Sequence, residues 1–116
     1  MDRNRRKALI QAYKLAFPPM GIYAIRNLAS GRVLVDSSPN VTGALNRHRT
    51  QLRLGLHRIK ALQEDWHLHG EAGFAFDMLQ AVEERTDPAF DYAAERERLL
   101  QPWRERVPPG SPDSYL

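Results

Sequence analysis

The chain has 116 residues, with 42% hydrophobic and 27% charged side chains, no cysteine, and a formal net charge of +3. That length holds one modest core and not two, and the missing thiols exclude a disulfide frame or a thiolate metal site, in keeping with an expected cytoplasmic location. No apolar run approaches the ~20 residues of a membrane span, and no signal-peptide apolar core follows Met1 to Lys7, so no membrane partner is expected.

Asp2 to Phe17 reads as a helix, since Ala8, Leu9, Ala12, Leu15 and Ala16 recur near helical spacing and Pro18-Pro19 stops them. Gly21–Asn27 and Arg32–Ser37 are short β-rich runs on either side of a Ser-Gly turn, the pattern of a hairpin. Ser38-Pro39-Asn40 turns the chain into a second helix that points Leu45, His48, Leu52 and either Leu54 or Leu56 inward and closes at Gly55. A third helix begins at Arg58 or Ile59 and runs to about Leu68, with Leu62 and Trp66 on one face. Phe74–Val82 is a third strand with aromatic enrichment but imperfect alternation. Asp91–Arg106 is a last helix, in which Pro102 predicts a kink or a break. Val107 to Leu116, with three prolines, a glycine and two serines, reads as an extended or disordered tail. The expected division is therefore an N-terminal helix and Pro-Pro linker over 1–19, a domain over 20–106 and a flexible tail over 107–116.

Charge is unevenly spread along this plan. Residues 26–60 hold seven Lys/Arg against Asp36 alone, whereas residues 61–116 hold five arginines against twelve acids. A basic face of this kind can meet phosphates; equally, basic and acidic helices can pair with each other.

The ordered series Gly21-Ile22-Tyr23, Asn27, Gly31, Leu45-Asn46-Arg47-His48-Arg49, Gly55-Leu56-His57, Leu62-Gln63-Glu64-Asp65-Trp66, His69-Gly70-Glu71 and Phe74-Ala75-Phe76 resembles the GIY-YIG nuclease family, in particular its small bacterial members. The resemblance runs over roughly Gly21 to Trp103. It implies an α+β fold, a three-stranded, mainly antiparallel sheet flanked by helices, here with an extra N-terminal helix. It also implies phosphodiester cleavage with one divalent metal: a first tyrosine that helps deprotonate the nucleophile, a second that supports it, a helix arginine on the scissile phosphate, and a metal-binding glutamate on the last helix.

Carried over position by position, the first tyrosine is Tyr23. The second falls on Leu34, the glycine after it on Asp36, the arginine on Ala44 and the glutamate on Leu100. Leucine and alanine cannot do that chemistry, and loss of a single such group commonly removes orders of magnitude in rate. The expectation is a retained scaffold with an emptied site, in which Tyr23, His48 and His57 are vestigial and no cofactor is needed. Arg47 lies one turn after Ala44 and Glu97 one turn before Leu100, so a displaced Arg47/Glu97 pair with Mg or Mn would be the route back to an active nuclease.

Other candidates have plainer readings beside them. His48 and His57 fall where some relatives place histidines near the phosphate, yet His48 also fits as packing on the sheet and His57 as a loop cap. His67 and His69 with Glu64 and Asp65 form no clear ligand set. Trp66 and Trp103 fit core positions. Arg26, Arg32, Arg47, Arg49 and Arg53 are the phosphate-contact candidates, with Arg49 and Arg53 on one helix face and Arg47 and Arg58 flanking. Three functions follow: a degenerate nuclease-like domain that binds DNA or RNA through phosphates, a divergent metal-dependent nuclease, or a protein-interaction or self-association module docking through the Met1–Phe17 helix.

Overall fold

The computed structural model describes residues 17–116; the helix expected over Asp2 to Phe17 lies outside them but for its last position. The described residues form β1 (Met20–Asn27), β2 (Val33–Ser38), α1 (Val41–Arg53), α2 (Lys60–His69), a 3-10 turn (Glu71–Gly73), β3 (Phe74–Val82) and α3 (Tyr92–Arg106). The sheet is antiparallel throughout, in the order β2-β1-β3. An α+β sheet with helices on both faces is the architecture that the sequence predicts.

The hairpin is set by Asn27. Its Oδ1 accepts the N–H groups of Ala29 and Ser30, at 2.9 and 3.3 Å, and its backbone N–H bonds Arg32 O, so the chain reverses at once. Gly31, at φ +78°, takes the left-handed position that this turn requires. Gly21 is required for a different reason: a Cβ there would lie 2.0 Å from the Gln80 carbonyl oxygen, so β1 and β3 approach closely only because the side chain is absent.

The two sheet faces bury different partners. Tyr23, Ile25 and Leu34 face α1 and α2 and pack with Val41, Ala44, Leu52, Leu62, Trp66 and Phe74. Ile22, Ala24 and Val35 face α3 and pack with Leu100, Leu99 and Trp103. Burial of a large side chain such as Ile22, Ile25, Leu34, Leu52, Leu62 or Leu100, all under 2% exposed, contributes about 1.5–3 kcal/mol. The weak alternation of the third strand has a structural cause. Ile22 pairs with Gln80 but Tyr23 pairs with Met78, so Leu79 is an extra residue. Before this bulge Phe74 and Phe76 face α2; after it Gln80 faces α3, where it accepts the Trp103 indole N–H at 3.2 Å.

Several local expectations are corrected. Leu54 and Leu56 are exposed, because α1 ends at Arg53 and the chain turns away at Gly55. Pro102 does not split the last helix: it lies near the end of α3, where the missing N–H deprives few further residues of support. The tail does not hang free. Val33 N–H donates to Asp113 O and Tyr115 N–H to Val33 O, at 2.9 and 3.0 Å, which forms a parallel bridge on the open edge of β2. Tyr115 is 5% exposed and joins the core below α2; its hydroxyl donates to Asp65 Oδ2 at 2.6 Å and accepts from Asn27 Nδ2 at 3.2 Å. Among the described residues no helix is long and apolar enough to cross a membrane.

Candidate functional site

Strand alternation and the start of α1 build an open cleft of about 510 Å³ beside Tyr23. Its walls are the end of β2 (Asp36, Ser37, Ser38), the connection through Pro39 and Asn40, and the first turns of α1 (Gly43, Ala44, Arg47). Asn40 caps α1: its Oδ1 accepts the Gly43 N–H at 3.1 Å. Asp36 is directly opposite Tyr23 in the β1–β2 register and commits one oxygen to its neighbour's N–H, Ser37, at 2.8 Å.

Behind Tyr23 runs a chain of rings. The Tyr23 hydroxyl lies 2.9 Å from His48 Nε2, His48 Nδ1 lies 2.8 Å from His57 Nε2, and His57 Nδ1 accepts the Ile59 N–H at 3.1 Å. The two imidazoles meet edge to edge, with centroids 5.1 Å apart and 25° between their planes. His48 enters the core because it lies one turn after Ala44 on the inward stripe of α1. His57 is brought to it by the loop that follows, which Gln63 holds from α2. The Gln63 Oε1 accepts the His57 N–H and its Nε2 donates to Leu52 O, both at 3.0 Å, and also to His67 Nε2 at 3.2 Å.

Burial sets the protonation of this chain. The Tyr23 phenol is pushed up to about 12, chiefly by burial and secondarily by Asp36, against the opposing pull of Arg47 and Arg58. The His48 imidazolium is disfavoured, with its pKa brought down to about 4 by burial, then by His57, Arg47 and Arg58, while Asp36 pulls the other way. His57 is lowered too, by burial and then by Arg58. At neutral pH the three rings are uncharged.

Tyr23, His48 and His57, named together from the sequence as vestiges of a site, form one hydrogen-bonded unit; His57 also caps the loop, through Ile59. Leu34 and Ala44 lie in the core on the same side of the sheet as Tyr23. Leu100 does not: it packs under Ile22, Ala24 and Val35 on the opposite face. Glu97, one turn earlier on α3, accepts from Gln101 and Arg104 and does not reach the cleft. Asp36 is the one carboxylate lining the cleft, and among the described residues no three His, Asp or Glu side chains gather as metal ligands.

Of the five arginines singled out from the sequence, Arg47 alone lines the cleft. Arg53 forms a two-point pair with Glu71 (2.6 and 2.7 Å), and Arg49 lies over the Phe76 ring at 4.3 Å. Arg32 donates to Ser114 O at 3.1 Å and lies over the Tyr115 ring at 4.6 Å, so the docked tail occupies it. Arg26 belongs to the other sheet face, in a groove with Asp77 and Trp103. Gln63 is the positioning residue that sequence reasoning did not assign; its signal is a polar side chain beside Leu62 and one turn before Trp66 on a buried helix face.

No protein-family profile matches the chain, and no characterised protein matches it at a significant level. Solved structures do. The catalytic domain of the homing endonuclease I-TevI superposes with a TM-score of 0.55 at 24% identity, over 76% of this chain and 91% of that one. A point mutant of the catalytic domain of the intron endonuclease I-TevI superposes with a TM-score of 0.60 at 25% identity, over 77% and 84%. The chain has a GIY-YIG-like fold. Tyr23 lies in the central strand of the sheet, β1, with Asp36 of β2 opposite it and the cleft beside it.

Proposed function

We propose that this GIY-YIG-like domain binds nucleic acid by its phosphate backbone at the cleft beside Tyr23 and does not cleave it. The observation that carries this reading is the content of the cleft. A buried phenol, backed by a histidine pair, and Arg47 remain there, whereas the positions that the resemblance gives to the second tyrosine and the helix arginine are Leu34 and Ala44. Leu100 lies on the far face of the sheet, so the count that gave it the glutamate position does not lead into the cleft and carries no weight here. A phosphate oxygen entering the cleft meets a hydroxyl and a guanidinium, which supports holding an anion. In-line displacement also needs a positioned nucleophile and a further positive charge on the leaving oxygen, and Arg47 is the one cationic side chain lining the cleft.

Fluorescence anisotropy with a short labelled duplex tests the reading. Affinity falls steeply as salt rises, with little dependence on sequence, and Arg47→Ala weakens binding about tenfold, equivalent to ~1.4 kcal/mol. Arg53→Ala, whose guanidinium is held by Glu71, changes it much less. No binding at low salt, or equal effects of the two substitutions, contradicts the proposal.

A further inference from the structure

The proton positions along the ring chain are fixed from its inner end. His57 Nδ1 accepts the Ile59 backbone N–H, so that nitrogen carries no proton. A neutral imidazole has one donor and one acceptor nitrogen, so His57 carries its proton on Nε2. That N–H faces His48 Nδ1 at 2.8 Å, which therefore accepts. His48 in turn is protonated on Nε2 and donates to the Tyr23 oxygen at 2.9 Å. The Tyr23 oxygen is an acceptor toward the protein, and its own proton is left for the cleft side. The opposite polarity would set His57 Nδ1–H against the Ile59 N–H, two donors facing each other in a buried loop.

The geometry points to Tyr23 as a fixed hydrogen-bond donor: the Ile59 N–H, acting through two neutral histidines, aims the phenolic proton at an anionic oxygen held in the cleft. The choice of a phosphate oxygen as that acceptor rests on the function proposed above; the polarity of the chain does not. Two features of the fold maintain it: Gln63 clamps the His57 backbone, and the burial of both imidazoles limits the water that would let a ring invert its tautomer freely. A phenol held neutral keeps its own proton and does not take one from a water nucleophile. Donation to an anion requires no proton transfer at all. His57 and Ile59 are then positioning residues that act through Tyr23.

Long-range proton–nitrogen NMR on the unliganded, nitrogen-15-labelled protein reads the tautomers directly. At neutral pH both His48 and His57 show a protonated Nε2 and an unprotonated Nδ1. An Nδ1–H tautomer or a charged ring at either position overturns the inference, whether or not the protein binds nucleic acid. Ile59→Pro removes the N–H at a residue whose φ is −89°, near the proline range. It gives a mixed tautomer at His57; retention of the single form there shows that Ile59 is not what sets the polarity. Tyr23→Phe then weakens binding of the labelled duplex about tenfold, as expected for a lost charge-assisted hydrogen bond. Unchanged affinity in this variant overturns the donor role. Nε2–H tautomers in a protein that binds no duplex uphold the polarity and remove phosphate as its acceptor.

Discussion

Acidification perturbs the ring chain in a way whose size follows from the structure. In an unfolded chain His48 has its ordinary pKa of 6.5, whereas in the fold burial and its cationic neighbours bring it down to about 4. Between those values the unfolded state binds the proton and the folded state does not, so stability is full above pH 6.5 and is lost as pH falls toward 4. At ~1.36 kcal/mol per unit the ceiling is ~3 kcal/mol, and the water that reaches an open cleft lowers the working expectation to ~2 kcal/mol. The lowered pKa of His57 adds in the same direction and the same window. Asp36 opposes the shift, and Arg47 and Arg58 reinforce it. The carboxylates with lowered pKa, Glu71 and Glu95, act only below their ordinary 4.5, so they do not obscure the histidine window. Urea unfolding across a pH series measures the loss, and His48→Gln, which cannot charge, removes the larger part of it. A wild-type stability that is flat from neutrality down to pH 5, or the same loss in His48→Gln, refutes the reasoning.

Three further outcomes test the scaffold. Gly21→Ala places a methyl 2.0 Å from the Gln80 carbonyl oxygen and costs about 3 kcal/mol, read from the shift in urea midpoint. Tyr115→Phe strips the hydroxyl that joins Asp65 and Asn27 and costs about 1–3 kcal/mol, whereas Tyr115→Ala empties its core site as well and costs about 3–5 kcal/mol; amide exchange at Val33 and Tyr115 rises in both. Arg53→Ala, despite its two-point contact with Glu71, changes stability by less than about 1 kcal/mol in calorimetry, because both side chains are largely exposed.

The hairpin and the order of elements were legible because their signals are local: β-rich runs on either side of Ser30-Gly31, prolines between segments, and helical spacing around Leu45 to Leu52; the three-stranded sheet came from the family resemblance. The tail was not. Three prolines and a glycine have the composition of a linker, and the partners that hold Tyr115 are Asn27 and Asp65, 88 and 50 positions away. The interrupted alternation of the third strand showed without its cause, since a bulge at Leu79 is fixed by the pairing with β1 and not by its own residues. In the site, counting along the chain singled out Leu34 and Ala44, and both lie on the Tyr23 side of the sheet. The same counting could not say which sheet face α3 would cover, and that face carries Leu100 and Glu97 away from the cleft. His48 and His57 were visible as candidates, but their union with Tyr23 depends on Gln63 and on a loop that has no periodic signal.

The most direct test of a binding but non-cleaving domain is prolonged incubation of the purified full chain with supercoiled plasmid in Mg²⁺ and in Mn²⁺, read as the appearance of nicked and linear forms. The account predicts that plasmid mobility is retarded at low salt and that the DNA is recovered intact once the protein is removed. Metal-dependent nicking that disappears in Tyr23→Phe would contradict it.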